Sequence, residues 1–139
     1  MSPILNSPRF LSRVMGLDAA SCLLTGAIQC AATAPLSAMT GLPSALLGYS
    51  GLFLLVYAAA AAWMASRAVS PRVLIALVAV GNLGWALGCL ALLAGWRLQP
   101  TALGAAWLGL QAVVVLALAA AQWAGLRASS PRRRPALQA

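Results

Sequence analysis

The chain has 139 residues, 63% of them hydrophobic and 7% charged, with nine basic residues, one acidic residue and no histidine. Soluble domains carry about 25% charged residues, so this chain, with a mean hydropathy of +0.92, cannot coat a globule with polar surface. It reads as an all-α polytopic membrane protein, and its formal charge of +8 belongs to topology and anionic headgroups rather than to nucleic acid.

Residues 1–10 (MSPILNSPRF) carry Pro3 and Pro8 and read as an irregular cytoplasmic leader or an interfacial segment. Arg9 and Arg13 then precede the first apolar run, helix one, expected over about 11–34. A basic segment before an apolar one also describes a signal peptide. This run is long enough to span, contains Asp18, and has its one small-residue site, Ala32-Thr33-Ala34, followed by Pro35, so helix one is expected to be retained. Residues 35–43 (PLSAMTGLP) read as a short uncharged turn broken by its prolines and Gly41. Helix two is expected over about 44–66, helix three over about 72–94 and helix four over about 101–126, each long enough to cross a bilayer. The last segment, residues 128–139, is a basic tail whose Arg132, Arg133 and Arg134 face anionic headgroups.

Residues 11–127 therefore form one transmembrane domain, an up-down bundle of four helices. Arg9, Arg13, Arg67, Arg72, Arg127 and Arg132 to Arg134 lie on one side and only Arg97 on the other. That bias puts both termini in the cytoplasm. The Arg-only basic set and the abundance of Ala, Gly and Leu suggest a bacterial source, hence the inner (plasma) membrane. Trp63 with Arg67, Trp96 with Arg97 and Trp123 with Arg127 are expected as membrane-interface anchors, an aromatic followed by a cation at each helix end. Ala-Ala-Ala-Ala-Trp63-x-x-x-Arg67 is echoed by Ala-Ala-Ala-Gln-Trp123-x-x-x-Arg127, the pattern a duplicated helical hairpin would leave.

Asp18 organises the functional reading. At 100° per residue, Asp18, Ser21, Cys22, Thr25, Gln29 and Thr33 share a sector about 120° wide. A rise of 1.5 Å per residue puts Asp18 roughly 10 Å, and Tyr57 and Asn82 roughly 15 Å, from the Arg-rich side. A carboxyl, a phenol and an amide from three helices thus occupy one slab. Gln111 lies nearer the far side, and Gln122 shares its face close to the cytoplasm. A charged Asp at helix centre costs roughly 2.5–3.5 kcal/mol on insertion scales, so Asp18 is expected either to be protonated or to face partners in the bundle. Two roles follow, a hydrogen-bonded network locking the helices together or a proton- or cation-responsive site; the first is preferred. Gly84 and Gly88 form a small-x-x-x-small pair suited to close helix packing, within one chain or between copies. Trp85 and Trp107, with Phe53 and Tyr57, are read first as core packing and second as the lining of a cavity.

Absences narrow the function. Without His, Glu or Lys, His-ligated haem, His-rich zinc sites and carboxylate pairs are excluded. Cys22, Cys30 and Cys89 form no C-x-x-C, and no Gly-rich phosphate loop follows a strand. No enzyme, metal or cofactor is expected. The expected role is a non-enzymatic accessory or interaction component, working as a homo-oligomer or with a membrane-complex partner. The alternative is a small proton-coupled transporter using Asp18, as an oligomer.

Leu17-Asp18-Ala19 after a basic leader, Gly41-Leu42-Pro43 with Leu46-Leu47, Tyr57-Ala58, Asn82 with Trp85, and Gly95-Trp96 before Pro100-Thr101 carry a resemblance. Over most of its length the chain resembles a group of small, uncharacterised bacterial four-helix integral membrane proteins, which implies the four-helix fold and no established activity. It is also similar in plan to small multidrug-resistance transporters, which have four short helices and one membrane acid in the first. Those are shorter, use Glu and work as dimers; here the acid is Asp18 and their other motifs are absent.

Overall fold

The structure, a computed structural model, describes residues 9–69, 71–95 and 98–129. Five helices follow one another: α1 Phe10–Ala31, α2 Thr33–Thr40, α3 Ser44–Ala65, α4 Arg72–Leu93 and α5 Ala102–Ala128. All but α2 are long and apolar enough to cross a membrane.

The segment expected as a turn is instead the two-turn helix α2. Pro35 is the reason. It falls in the first turn of α2, where its missing N–H would have had no partner in the helix, and it cannot donate to the Ala31 carbonyl. The chain therefore bends at Ala32 (φ −124°, ψ 33°). Ala32 N–H still reaches the Ile28 carbonyl and Leu36 N–H restarts the ladder on the Ala32 carbonyl, each at 2.9 Å. Helix one thus ends three residues earlier than expected, and Thr33 and Ala34 belong to α2. Gly41, in the left-handed region at φ 72°, closes α2.

The long helices pair as antiparallel hairpins. In α1/α3, Asp18 meets Tyr57 and Gln29 meets Ser50; in α4/α5, Arg72 meets Leu126 and Trp85 meets Gln111. The α1/α3 crossing is close because two glycines face each other. A Cβ on Gly26 would lie 2.8 Å from the Gly51 carbonyl oxygen, and one on Gly51 would lie 2.9 Å from Gln29 Cβ. α5 joins the hairpins by packing on α1, and its start is latched to α2. Thr101 N–H donates to the Thr40 carbonyl at 2.9 Å, and the Thr101 hydroxyl donates to the Met39 carbonyl at 2.7 Å.

The core has an end-to-end order. Leu11, Met15, Ala61, Met64, Ile75 and Leu126 fill the Arg-rich half, while Leu42, Leu47, Cys89, Leu108 and Ala112 fill the opposite half. Large apolar side chains also cover the outside, among them Leu17, Leu24, Val56, Leu77, Leu87, Leu110 and Val113. An apolar exterior around a core holding the buried polar groups is the arrangement a bilayer solvates.

Candidate functional site

α1 is apolar on most of its circumference, so its orientation is set by its few polar groups and by the Gly26/Gly51 crossing. Asp18, Cys22 and Gln29 are buried, Ser21 and Thr25 are half-buried, and Leu17, Leu23, Leu24 and Ile28 point outward. The polar stripe faces the bundle. Its members serve different ends. Ser21 returns its hydroxyl to the Asp18 carbonyl at 2.9 Å and Thr33 returns its own to the Gln29 carbonyl, local bonds that neutralise the hydroxyls within the helix. Cys22 turns to the Asp18 side chain one turn back on α1, and Gln29 meets Ser50 of α3.

Asp18 is fully buried and is the acceptor at the centre of a four-helix cluster. Its Oδ2 accepts from Tyr57 Oη of α3 at 2.8 Å, Asn82 Nδ2 of α4 at 3.0 Å and Gln122 Nε2 of α5 at 2.6 Å. Its Oδ1 faces the Cys22 thiol, with Sγ at 3.6 Å. Asn82 Nδ2 also donates to Gln122 Oε1 at 3.3 Å, closing the ring between α4 and α5, and Gln122 Nε2 lies 3.6 Å from Met15 Sδ. One carboxyl is thereby tied to every long helix other than its own. The groups facing it are N–H, O–H and S–H donors, the complement an acceptor-only carboxylate requires.

The structure brings Asp18, Tyr57 and Asn82 together as the common slab implied. Gln122, which the sequence places close to the cytoplasm on the face of Gln111, joins them. A signal was available, since Asp18 lies five residues after Arg13 and Gln122 five residues before Arg127. In antiparallel helices anchored by those arginines, equal spacing means equal depth. Gln111 sits three turns away on the same face and accepts from Trp85 Nε1 at 3.3 Å.

No protein-family model matches the chain, and no curated protein or solved structure is significantly similar to it. The site therefore has to be interpreted from its own chemistry. Among the described residues no group of three or more His, Cys, Asp or Glu side chains could hold a metal ion. All three cysteines are free, Cys22 and Cys89 buried and Cys30 exposed.

Two of the expected anchor pairs are described. Arg67 Cζ lies 4.1 Å from the Trp63 ring centroid and Arg127 Cζ 6.0 Å from that of Trp123, so each cation rides over its aromatic at corresponding helix ends. Trp96, Arg97 and Arg132 to Arg134 lie outside the described residues.

Within the chain, the glycine pair of α4 meets no neighbouring helix. A Cβ on Gly84 or Gly88, or on Gly81, would meet nothing within 4 Å. These glycines border open space along the α3/α4 seam, because α3 is drawn toward α1 by the Gly26/Gly51 contact. Of the aromatic residues, Tyr57, Trp85 and Trp107 pack against the buried clusters as expected, and Phe53 does not. Phe53 is 56% exposed and stacks against Trp85 at a centroid distance of 5.9 Å and an interplanar angle of 9°. Trp85 and Trp107 both line a cavity of about 490 Å³ in the half of the bundle opposite the Arg-rich end. Trp107 Nε1 is buried without a hydrogen-bond partner among the described residues, a situation that costs about 1–3 kcal/mol.

Proposed function

We propose that the protein is a multi-pass integral protein of the bacterial inner membrane, acting as a non-enzymatic accessory or interaction component whose bundle is clamped by Asp18. The observation that carries this reading is the saturation of the Asp18 carboxyl by Tyr57, Asn82 and Gln122, one from each neighbouring long helix, at full burial. The arginine bias supports cytoplasmic N- and C-terminal segments, with residues 132–134 on anionic headgroups. The accessory role leaves room for a second copy or a membrane-complex partner on the apolar flanks.

The decisive experiment is Asp18→Asn in liposomes, following thermal unfolding and the flux of protons down an imposed pH gradient. The expected result is a lowered midpoint of unfolding with flux no different from wild type. A variant that folds as well as wild type yet abolishes a pH-driven flux would instead establish the proton-coupled carrier.

A further inference from the structure

The half of the bundle that Asp18 does not occupy holds a cavity with two glutamines in its lining. Gln29 lies eleven residues beyond Asp18 on α1, about 16 Å along the axis. It is 2% exposed, and its amide meets the Ser50 hydroxyl at 3.1 Å. That hydroxyl also reaches the Leu47 carbonyl at 3.2 Å; whichever of the two it donates to, at least one N–H of the Gln29 amide is left without an acceptor among the described residues. Gln111, half-buried, offers a second amide. An indole nitrogen can only donate, so the atom Trp85 Nε1 meets is the Gln111 carbonyl, and the free end is again the N–H₂ group. Trp107 contributes its ring to the lining, while its Nε1 is buried away from the open space and unpartnered among the described residues. Gln29, Gln111 and Trp107 line one and the same cavity of about 490 Å³.

The rest of that lining is apolar or small: leucines of α3, α4 and α5, Cys89, and the glycines Gly84 and Gly88 on the seam. It holds no cation and no carboxylate. Surplus N–H donors in an apolar chamber of this size select an acceptor rather than an anion, on a molecule that is otherwise lipid-soluble. The flat faces of Trp85 and Trp107 add a surface against which a planar group can lie.

We infer that this cavity binds a neutral lipophile through a carbonyl oxygen, which Gln29 and Gln111 would hydrogen-bond, the molecule entering along the α3/α4 seam past Gly84 and Gly88. The carbonyl can come from a quinone ring or from the ester of an uncharged glyceride. The inference goes beyond the accessory role and does not depend on Asp18 acting as a clamp.

The test uses the full chain purified in dodecyl maltoside, titrated with decylubiquinone, with dioctanoylglycerol, and with dodecane as a lipophile of similar reach lacking an acceptor. Thermal unfolding and tryptophan emission report binding. The expected result is a saturable shift with one or both carbonyl compounds and none with dodecane; which of them binds names the source. Gln29→Leu should weaken that binding about tenfold, the effect of one lost hydrogen bond. Gly88→Leu, which fills the cavity from an open helix position and leaves every donor in place, should abolish it. Dodecane binding as well as the carbonyl compounds, no saturable shift with any of them, or an affinity unchanged in both variants each overturns the inference.

Discussion

Asp18 shows what a single charged residue does inside an apolar bundle. Its carboxyl needs donors, and the three nearest long helices each supply one. Interhelical hydrogen bonds in membrane proteins contribute about 0.6 kcal/mol each and up to about 1.7. Asp18→Leu, which orphans three donors at once, should therefore destabilise the bundle by about 2–5 kcal/mol, measured by reversible unfolding in mixed micelles. Tyr57→Phe removes one donor and keeps the ring, so it should cost about 0.6–1.7 kcal/mol. Placed on an Asp18→Leu background it should cost almost nothing, and a double-mutant cycle that returned additive losses would mean that the phenol and the carboxyl do not interact. The first three members of this cluster are legible from depth alone. Gln122 is legible only once the arginines are used as rulers for both helices, because polarity in an alanine-rich helix does not by itself say which neighbour it serves.

At the scale of the elements, glycines decide the seams. Gly26 and Gly51 let α1 and α3 touch backbone to backbone, and the obstacle to a larger residue at position 26 is a carbonyl oxygen that has no freedom to move aside. Gly26→Ala should lower the unfolding midpoint clearly, despite alanine's better helix propensity. Gly81→Ala should do the reverse, because a Cβ there meets open space and the gain in propensity is about 0.8–1.0 kcal/mol. Measured side by side, the two substitutions should move stability in opposite directions; movement in the same direction would mean that the α1/α3 contact is looser than described. The sequence marks both positions merely as glycine in an apolar run. The difference between them is the distance to the next backbone, which no local pattern encodes. The same is true of Pro35, which reads as a breaker and acts as the first turn of α2 after bending α1 at Ala32.

At the scale of the whole molecule, hydropathy and charge argue for a membrane. Arg67 and Arg127 sit at the ends of α3 and α5, beside Trp63 and Trp123, and Arg72 at the start of α4 holds the Leu126 carbonyl and the Ser129 hydroxyl near the end of α5. Among the described residues these arginines gather at one end of the bundle. With Cys22, Cys30 and Cys89 replaced by alanine, Ser129→Cys should resist a membrane-impermeant maleimide added to intact spheroplasts and react after lysis. Ser44→Cys, at the exposed start of α3, should react without lysis. Labelling in the opposite order would invert the proposed orientation.

Length, composition and the placement of arginine determined the number of helices long and apolar enough to span a membrane, their limits to within a few residues and the residue types able to carry chemistry, because each is a sum or a spacing along the chain. The rotation of each helix about its axis is another matter. On helices apolar nearly all round, hydrophobicity selects no face, and the choice falls to contacts between residues distant in sequence: Gly26 on Gly51, Thr101 on Thr40, Asp18 on Tyr57, Asn82 and Gln122. Only the tertiary structure could supply those, and with them came both the closed polar cluster at one end and the donor-lined cavity at the other.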